Sequence, residues 1–196
     1  MIAIVDYGAG NLASVVKAIQ HLGLECGVTA VAEAVARADR LILPGVGNFK
    51  ATRPLANGGL GAAVRNAIRD DKPILGICLG LQWMFEGSDE APELRGLSAF
   101  RGLCTRFSDR VKSPHVGWNR IEVAARSRLL SGIPSGSYVY FTHSYRAPLC
   151  AETVATCTYQ EPFTAAVERA NLFGLQFHPE KSGAIGIRIL ENFCAL

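Results

Sequence analysis

Residues 73–82 read PILGICLGLQ, and this stretch decides the fold. Its first half predicts a short buried β-strand, and its second half predicts the start of a helix. Cys78 lies at the junction with a glycine two residues away on either side, as in the cysteine form of the nucleophile elbow. We expect Gly76 and Gly80 to let neighbouring backbone pass close to this turn, so that the Cys78 side chain points into a cleft.

An elbow of this kind can activate a cysteine. The N-terminus of the following helix would stabilise a thiolate, and the backbone amide of Leu79 would donate a hydrogen bond to an oxyanion. The competing interpretation is a buried apolar cysteine in a glycine-rich turn, which is how we interpret the other five cysteines. The flanking glycines favour the nucleophile for Cys78.

The elbow lies within an alternation of strands and helices. Hydrophobic patterning predicts strands at residues 2–5 and 40–43 and helices at residues 12–22, 33–38 and 60–69. Asn11 is a predicted N-cap of the first helix, and Gly23 a predicted end. This order predicts a parallel sheet with right-handed crossovers.

The second half of the chain is rich in predicted strands. They cover residues 97–107, 118–123, 137–145, 153–159, 164–168 and 172–177. Ser182 then opens a last helix that carries Ile185, Ile189 and Phe193 on one face. We find no repeat, linker or low-complexity stretch, so residues 1–196 are predicted to form one domain.

Composition is typical of a globular protein and argues against a nucleic-acid-binding one. The chain has 196 residues, 49% of them hydrophobic and 19% charged, with a formal charge of +3. A chain of this size buries roughly 70% of its unfolded surface, so its core needs neither a metal nor a disulfide. The basic residues are scattered, which argues against nucleic acid as a partner.

Sequence features also indicate the compartment. Six cysteines without a C-x-x-C pair indicate a reducing environment. No run is long enough to span a bilayer, and the N-terminal residues do not resemble a signal peptide. We therefore expect a cytoplasmic protein that has no membrane partner.

A cysteine nucleophile needs a base, and four histidines are candidates. His21 ends a predicted amphipathic helix, where we expect it to be solvated. His115 and His143 could line a cleft or bridge backbone groups. His178 follows a predicted strand, at the edge where open α/β sheets place their sites, and Glu180 can reach back to its ring. We predict His178 as the base.

Residues 43–49, LPGVGNF, form a glycine-rich loop after a strand. As a phosphate cradle the loop is weak, because it lacks the lysine and the spacing of a P-loop. Beside Cys78 it is better interpreted as a second source of backbone amides for an oxyanion, although by itself it would be only a turn. Gly8 and Gly10 are too sparse to indicate a dinucleotide.

Taken together, these motifs resemble the class I, triad-type glutamine amidotransferases over essentially the whole chain. Within that class they are similar to the glutaminase subunits of imidazole glycerol phosphate synthase, an enzyme of histidine biosynthesis. The matching runs are DYGAGN at 6–11, LPGVG at 43–47, GICLG at 76–80, HVGWN at 115–119, HSY at 143–145, EPF at 161–163 and FHPE at 177–180. Ser144 and Val116 stand where some relatives carry threonine and methionine, and neither change affects the expected chemistry.

The resemblance implies a fold and a set of site residues. The fold is a single α/β domain whose open, mostly parallel central sheet is flanked by helices and has a smaller antiparallel β extension. The implied catalytic triad is Cys78, His178 and Glu180. The implied oxyanion hole is formed by Val46, Gly47 and Leu79. The implied residues that hold the substrate L-glutamine are Gly47, Gln82, Glu90, Ser144 and Tyr145.

The resemblance also implies a reaction and a partner. Glutamine would be hydrolysed through a thioester on Cys78, without metal or cofactor. The ammonia would pass to a (βα)8-barrel cyclase subunit that makes imidazole glycerol phosphate and aminoimidazole carboxamide ribotide. The two subunits would form a heterodimer, with Asn11, Trp118 and Lys181 at the interface.

Two other functions remain open from the sequence. One is a free-standing cysteine hydrolase, or a glutaminase that serves another synthase. The other is a catalytically silent adaptor that keeps the fold for binding. The intact triad argues against the adaptor. In 196 residues we find no domain that would bind an ammonia acceptor, which argues for a partner.

Overall fold

The computed structural model describes residues 1–109 and 111–196, and it confirms the predicted α/β class. In chain order the strands are β1 (Ile2–Val5), β2 (Cys26–Thr29), β3 (Arg40–Gly45), β4 (Ile74–Cys78), β5 (Gly87–Ser88), β6 (Leu103–Arg106), β7 (His115–Arg120), β8 (Glu122–Val123), β9 (Tyr138–His143), β10 (Tyr145–Arg146), β11 (Thr153–Tyr159), β12 (Glu161–Arg169) and β13 (Leu172–Leu175). The α-helices are α1 (Leu12–His21), α2 (Ala32–Arg37), α3 (Arg53–Ala56), α4 (Gly59–Arg69), α5 (Leu79–Met84) and α6 (Gly183–Ala195). Short 3-10 helices cover Phe49–Thr52 and Pro179–Lys181.

One eight-stranded sheet forms the centre of the molecule. Its strand order is β2-β1-β3-β4-β13-β12-β11-β8. Five neighbouring strands, β2, β1, β3, β4 and β13, pair in parallel. The strands β12, β11 and β8 then extend the sheet by antiparallel pairing. The predicted parallel sheet with an antiparallel extension is therefore confirmed. Two smaller sheets, β10-β6-β5 and the antiparallel pair β7-β9, lie outside it.

Helices cover the parallel strands on both faces. Alternate strand residues point to opposite faces, so Ile2 and Ile4 pack in one apolar cluster while Ala3 and Val5 pack in another. The first cluster includes residues of α1 and α6, and the second includes residues of α2, α4 and α5. Cys78 consequently lies at the carboxyl end of a central strand, the edge where parallel sheets present their sites.

The predicted strand at residues 97–107 is mostly wrong. Only Leu103–Arg106 is extended, and Ser98 and Gly102 have φ angles of 57° and 104° that turn the chain before it. The amides of residues 97–99 instead donate to the carbonyls of Trp83, Phe85 and Met84, at the end of α5. A tertiary contact thus takes the backbone groups that a strand ladder would need.

Other predictions need only local corrections. Asn11 does cap α1, because its side chain accepts a hydrogen bond from the amide of Ser14. The edge strand β2 and the short helices between residues 49 and 56 were not predicted. No helix within residues 1–109 and 111–196 has both the length and the apolar character needed to cross a bilayer.

Candidate active site

The backbone at Cys78 forms the predicted elbow. β4 ends at Cys78 and α5 begins at Leu79, so the strand-to-helix turn is made at a single residue. Cys78 has φ 51° and ψ −101°, a conformation that L-residues rarely adopt. Such strain persists only where the surroundings enforce it, and it is typical of functional turns.

The two flanking glycines are required for steric reasons. A Cβ at Gly76 would lie 2.7 Å from backbone atoms of Gly80 and Leu81. A Cβ at Gly80 would lie 1.8 Å from the carbonyl oxygen of Leu43 in the neighbouring strand. The predicted close passage of backbone at both glycines is confirmed.

We expect Gly80→Ala to destabilise the fold by about 3 kcal/mol or more, because the clash is with backbone that cannot rotate away. The matched control is Gly27→Ala in the edge strand β2, where a Cβ would meet nothing within 4 Å. That change should stay within about 0.5 kcal/mol. Urea unfolding of both variants measures the difference, and equal stabilities would contradict the packing at the elbow.

A cavity of about 230 Å³ opens beside Cys78. All five residues predicted to hold substrate line this cavity, together with Cys78 and Leu79. The lining residues are Gly47, Cys78, Leu79, Gln82, Glu90, Pro114, Thr142, His143, Ser144 and Tyr145. Val46, His178 and Glu180 are not part of this lining.

Two polar residues of the cavity are held by backbone groups. Glu90 Oε2 accepts a hydrogen bond of 2.7 Å from the amide of Phe49. Burial raises the pKa of Glu90, the Phe49 amide opposes the rise, and Asp89 adds to it. Gln82 Nε2 donates to the carbonyl oxygen of Tyr145 at 2.8 Å. This bond connects Tyr145 in the wall of the cavity to α5.

His178 and Glu180 form a buried pair behind the cysteine. Nδ1 of His178 lies 2.8 Å from Oε1 of Glu180, and both side chains are at most 3% exposed. A carboxylate can only accept, so Nδ1 carries the proton and Nε2 is the atom that can exchange one. The sequence-predicted pairing of these residues is present.

The charge state of His178 depends on its two neighbours. Burial lowers the pKa of His178, but the Cys78 thiolate and the Glu180 carboxylate outweigh burial and raise it to about 10. Within the described residues, Nε2 is buried and has no hydrogen-bond partner. Cys78 is the largest cause of this rise in the pKa of His178. The neighbours of His178 therefore favour its protonated, imidazolium form.

His115 and His143 are hydrogen-bonded to each other, not to the cysteine. His143 Nδ1 lies 2.8 Å from the carbonyl oxygen of Tyr145, so Nδ1 carries the proton. His143 Nε2 then accepts a hydrogen bond from His115 Nδ1 at 3.1 Å. His115 Nε2 in turn accepts one from the side-chain Nδ2 of Asn119 at 3.3 Å. The sequence left open whether His143 lines a cleft or bridges backbone groups. It does both, because it lines the cavity and bonds to the Tyr145 carbonyl.

Both of these histidines are neutral. Burial lowers the pKa of His115 to about 4. Burial is also the largest cause at His143, where it lowers the pKa to about 3 although the Tyr145 carbonyl opposes the change. The ring nitrogens of His115 and His143 bond to groups other than Cys78. His21 is exposed at the end of α1, as predicted.

Glycine serves two purposes at the end of β3 and in the loop that follows it. A Cβ at Gly45 would lie 2.2 Å from the Tyr7 hydroxyl and 2.8 Å from Leu79 Cβ. A Cβ at Gly47 would meet nothing, but Gly47 has φ 102°, which favours glycine. Gly45 is therefore needed for close packing, and Gly47 for its backbone conformation.

Two of the predicted interface residues lie in one exposed cluster. Trp118 is 55% exposed and packs edge-on to Tyr140, with ring centroids 6.1 Å apart. Lys181 Nζ lies 5.7 Å from the centre of the Tyr140 ring. Asn11 is exposed at the start of α1, and no contact joins it to this cluster among the contacts described. The sequence did not single out Tyr140.

Gln176 is a second residue that the sequence analysis missed. Its side chain is completely buried, and its Nε2 lies 3.7 Å from Cys78 Sγ. A signal was available, because Gln176 precedes His178 by two residues and alternate positions of an extended chain share a face.

All six cysteines are free. Across residues 1–109 and 111–196, no group of three or more His, Cys, Asp or Glu side chains is arranged to hold a metal ion.

Comparisons with known proteins identify the family that this chain resembles. A family model described as "Glutamine amidotransferase class-I" matches residues 3–195. A protein of Thermococcus kodakarensis named "Imidazole glycerol phosphate synthase subunit HisH" is 46% identical, over 98% of each chain. One of the same name from Geobacillus thermodenitrificans is 44% identical, over 100% of this chain and 96% of the relative.

A plant relative and a solved structure extend the comparison. The chloroplastic "Imidazole glycerol phosphate synthase hisHF" of Arabidopsis thaliana is 40% identical over 98% of this chain, which spans 34% of the plant protein. A solved structure described as a glutamine amidotransferase superposes with a TM-score of 0.78, at 18% identity, covering 100% of this chain and 98% of that one. At that identity the second likeness concerns the fold alone.

Proposed function

The chain belongs to the class-I glutamine amidotransferase family and, within it, to the HisH glutaminase subunits of imidazole glycerol phosphate synthase in histidine biosynthesis, and from this premise we propose how its residues release ammonia and pass it on. One observation carries the proposal. The thiol of Cys78 lies in a cavity at a strained elbow, with the hydrogen-bonded pair of His178 and Glu180 buried behind it.

In the first step the Cys78 thiolate attacks the side-chain carbonyl carbon of glutamine. The carbon–nitrogen bond breaks as the His178 imidazolium gives its Nε2 proton to the leaving nitrogen, so that ammonia departs and a thioester remains. Glu180 holds the ring through Nδ1 and stabilises its charged form. The raised pKa of His178 supports this role, because it supplies a protonated ring at neutral pH.

In the second step water replaces the sulfur. Neutral His178 accepts one proton from a water molecule, and the hydroxide attacks the thioester carbon. The tetrahedral intermediate collapses with the sulfur as leaving group, which regenerates the thiolate and the imidazolium. Glutamic acid leaves and loses its proton to solvent, so atoms and charges balance.

Charge develops on the carbonyl oxygen in both tetrahedral intermediates. We assign its stabilisation to the Leu79 amide and to a peptide N–H of the Val46-Gly47 segment. Leu79 and Gly47 both line the cavity that holds Cys78, which supports the assignment. Val46 would contribute through backbone alone.

The remaining polar lining suits an amino acid. Glu90 and Ser144 offer acceptors for an α-ammonium group, and Gln82 and Tyr145 would hold the rest of the glutamine with the backbone of Gly47. The cavity volume of about 230 Å³ is compatible with one small ligand.

The ammonia acceptor requires a partner subunit. Most of the plant relative lies outside the region that matches this chain, so that synthase carries further polypeptide. We propose a (βα)8-barrel cyclase as the partner in a heterodimer. Trp118 and Lys181, clustered on Tyr140, would form part of the interface and Asn11 a further point of contact. The six free cysteines suit the reducing cytoplasm, where we place the complex.

Coupling to the partner would prevent waste of glutamine. We propose that the peptide between Val46 and Gly47 rotates between a state that presents a carbonyl to the oxyanion and one that presents an amide. The open space and the φ of 102° at Gly47 support such a rotation. One additional oxyanion donor is worth about a hundredfold or more in rate, and a ligand that binds only one state can select it.

The test is glutamate release from glutamine by the isolated chain, by the complex with the cyclase, and by the complex with its ribotide ligand. We expect the isolated chain to be nearly inactive and the liganded complex to be at least about a hundredfold faster. Gly47→Ala should lose most of this activation. The control Gly23→Ala, at an equally open glycine with φ 74°, should keep it. Full activity in the isolated chain would contradict the coupling and favour a free-standing hydrolase.

A further inference from the structure

We propose that Gln176 is a positioning residue for the nucleophile, which holds the Cys78 sulfur by an N–H donor and favours its anionic form. The inference rests on the proposed function of Cys78 and adds a residue outside the triad. Gln176 follows directly after β13, is 0% exposed, and approaches Cys78 from the neighbouring strand.

The orientation of the Gln176 amide is fixed by its other contacts. Its Oε1 lies 3.2 Å from the backbone nitrogen of Ala147 and 3.4 Å from Gln82 Nε2. Both neighbours can only donate at these positions, so the atom between them is the oxygen. The amide nitrogen therefore faces Cys78 Sγ, at 3.7 Å.

Contacts at the sulfur distinguish its two protonation states. The Gln176 N–H group can only donate, and such a bond is stronger to a thiolate than to a thiol. The carbonyl oxygen of Thr142, 4.0 Å from Sγ, can only accept and so favours the thiol. Since the Gln176 amide does not titrate, it adds a fixed preference for the thiolate without competing with His178 for the proton.

Gln82 connects this contact to the substrate cavity. Its Nε2 is shared between Gln176 Oε1 and the carbonyl oxygen of Tyr145, and its side chain lines the cavity. Gln176 is thereby restrained from two sides and cannot turn its N–H away from the sulfur without breaking the bonds to its oxygen. The Cys78 sulfur therefore faces a rigid donor.

The test measures alkylation of Cys78 by iodoacetamide as a function of pH in the full chain. The Cys78 peptide is quantified by mass spectrometry, because the partly exposed Cys26, Cys150 and Cys194 would react as well. Gln176→Met removes the donor at similar size. Gln176→Glu keeps an acceptor for Ala147 and Gln82 but replaces the N–H with oxygen. For both variants we expect about a tenfold or greater fall in rate near neutral pH and a midpoint about one pH unit higher.

The control is Thr164→Val, which removes a buried hydroxyl in the adjacent strand β12 that bonds to Pro148 and Thr153 and not to Cys78. Its alkylation profile should match the unmodified chain. An unchanged profile in a folded Gln176 variant would overturn the proposal, as would an equal shift in the control. If Gln176→Met fails to fold, Gln176→Glu decides. Alkylation needs no glutamine, so an inactive but normally alkylated unmodified complex would instead overturn the proposed function.

Discussion

Cys78→Ala should reduce glutamine-dependent synthesis by the complex by about ten-thousandfold or more, to background. The thiolate is the proposed nucleophile, and no neighbouring side chain can take over a covalent step. The elbow is enforced by backbone contacts at Gly76 and Gly80, so the variant should fold and bind its partner. Product formation with glutamine and with added ammonium salt, measured on the same preparation, separates the two half-reactions.

Two controls sharpen this experiment. Synthesis from ammonium should survive in the Cys78→Ala complex, because the cyclase does not need the thiol. Cys157→Ala removes another completely buried cysteine, which lies in β11 away from the cavity, and should keep glutamine-dependent activity at a modest cost in stability. Continued turnover of glutamine by Cys78→Ala would show that the nucleophile is misassigned.

Local signals made much of the fold and the elbow predictable. A buried strand running into glycine-flanked Cys78 requires only neighbours in sequence, and so does the pairing of His178 with Glu180 two residues later. The parallel sheet followed from the alternation of strands and helices. Each of these features is decided within a few residues or by a general rule of topology.

Long-range contacts account for what the sequence analysis missed. Residues 97–99 were predicted as the start of a strand, but their amides are used at the end of α5. Tyr140 gains its position only when β9 pairs with β7 and brings it beside Trp118. The contact of Gln176 with Cys78 joins residues 98 positions apart in sequence. No local pattern encodes which strands become neighbours.

His178→Ala should reduce glutamine hydrolysis by the liganded complex by about a thousandfold or more, since one ring serves both as acid and as base. Glu180→Gln should cost less. The amide can still accept at Oε1 and hold the ring, but it no longer supplies the negative charge that helps to raise the pKa of His178. Steady-state glutamate release from both variants, at saturating glutamine, gives the order of the two effects.

The remaining histidines provide the decisive comparison. His143 lies in the cavity wall, but its two ring nitrogens are engaged by Tyr145 and His115, and burial keeps it neutral. His143→Gln should therefore perturb the wall and weaken glutamine binding, with an effect on turnover far smaller than that of His178→Ala. Loss of turnover in His143→Gln or His115→Gln as severe as in Cys78→Ala, in a folded variant, would mean that the proton comes from the histidine pair. The hydrogen bond from His178 to Glu180 would then be only structural, and the proposed triad would be wrong.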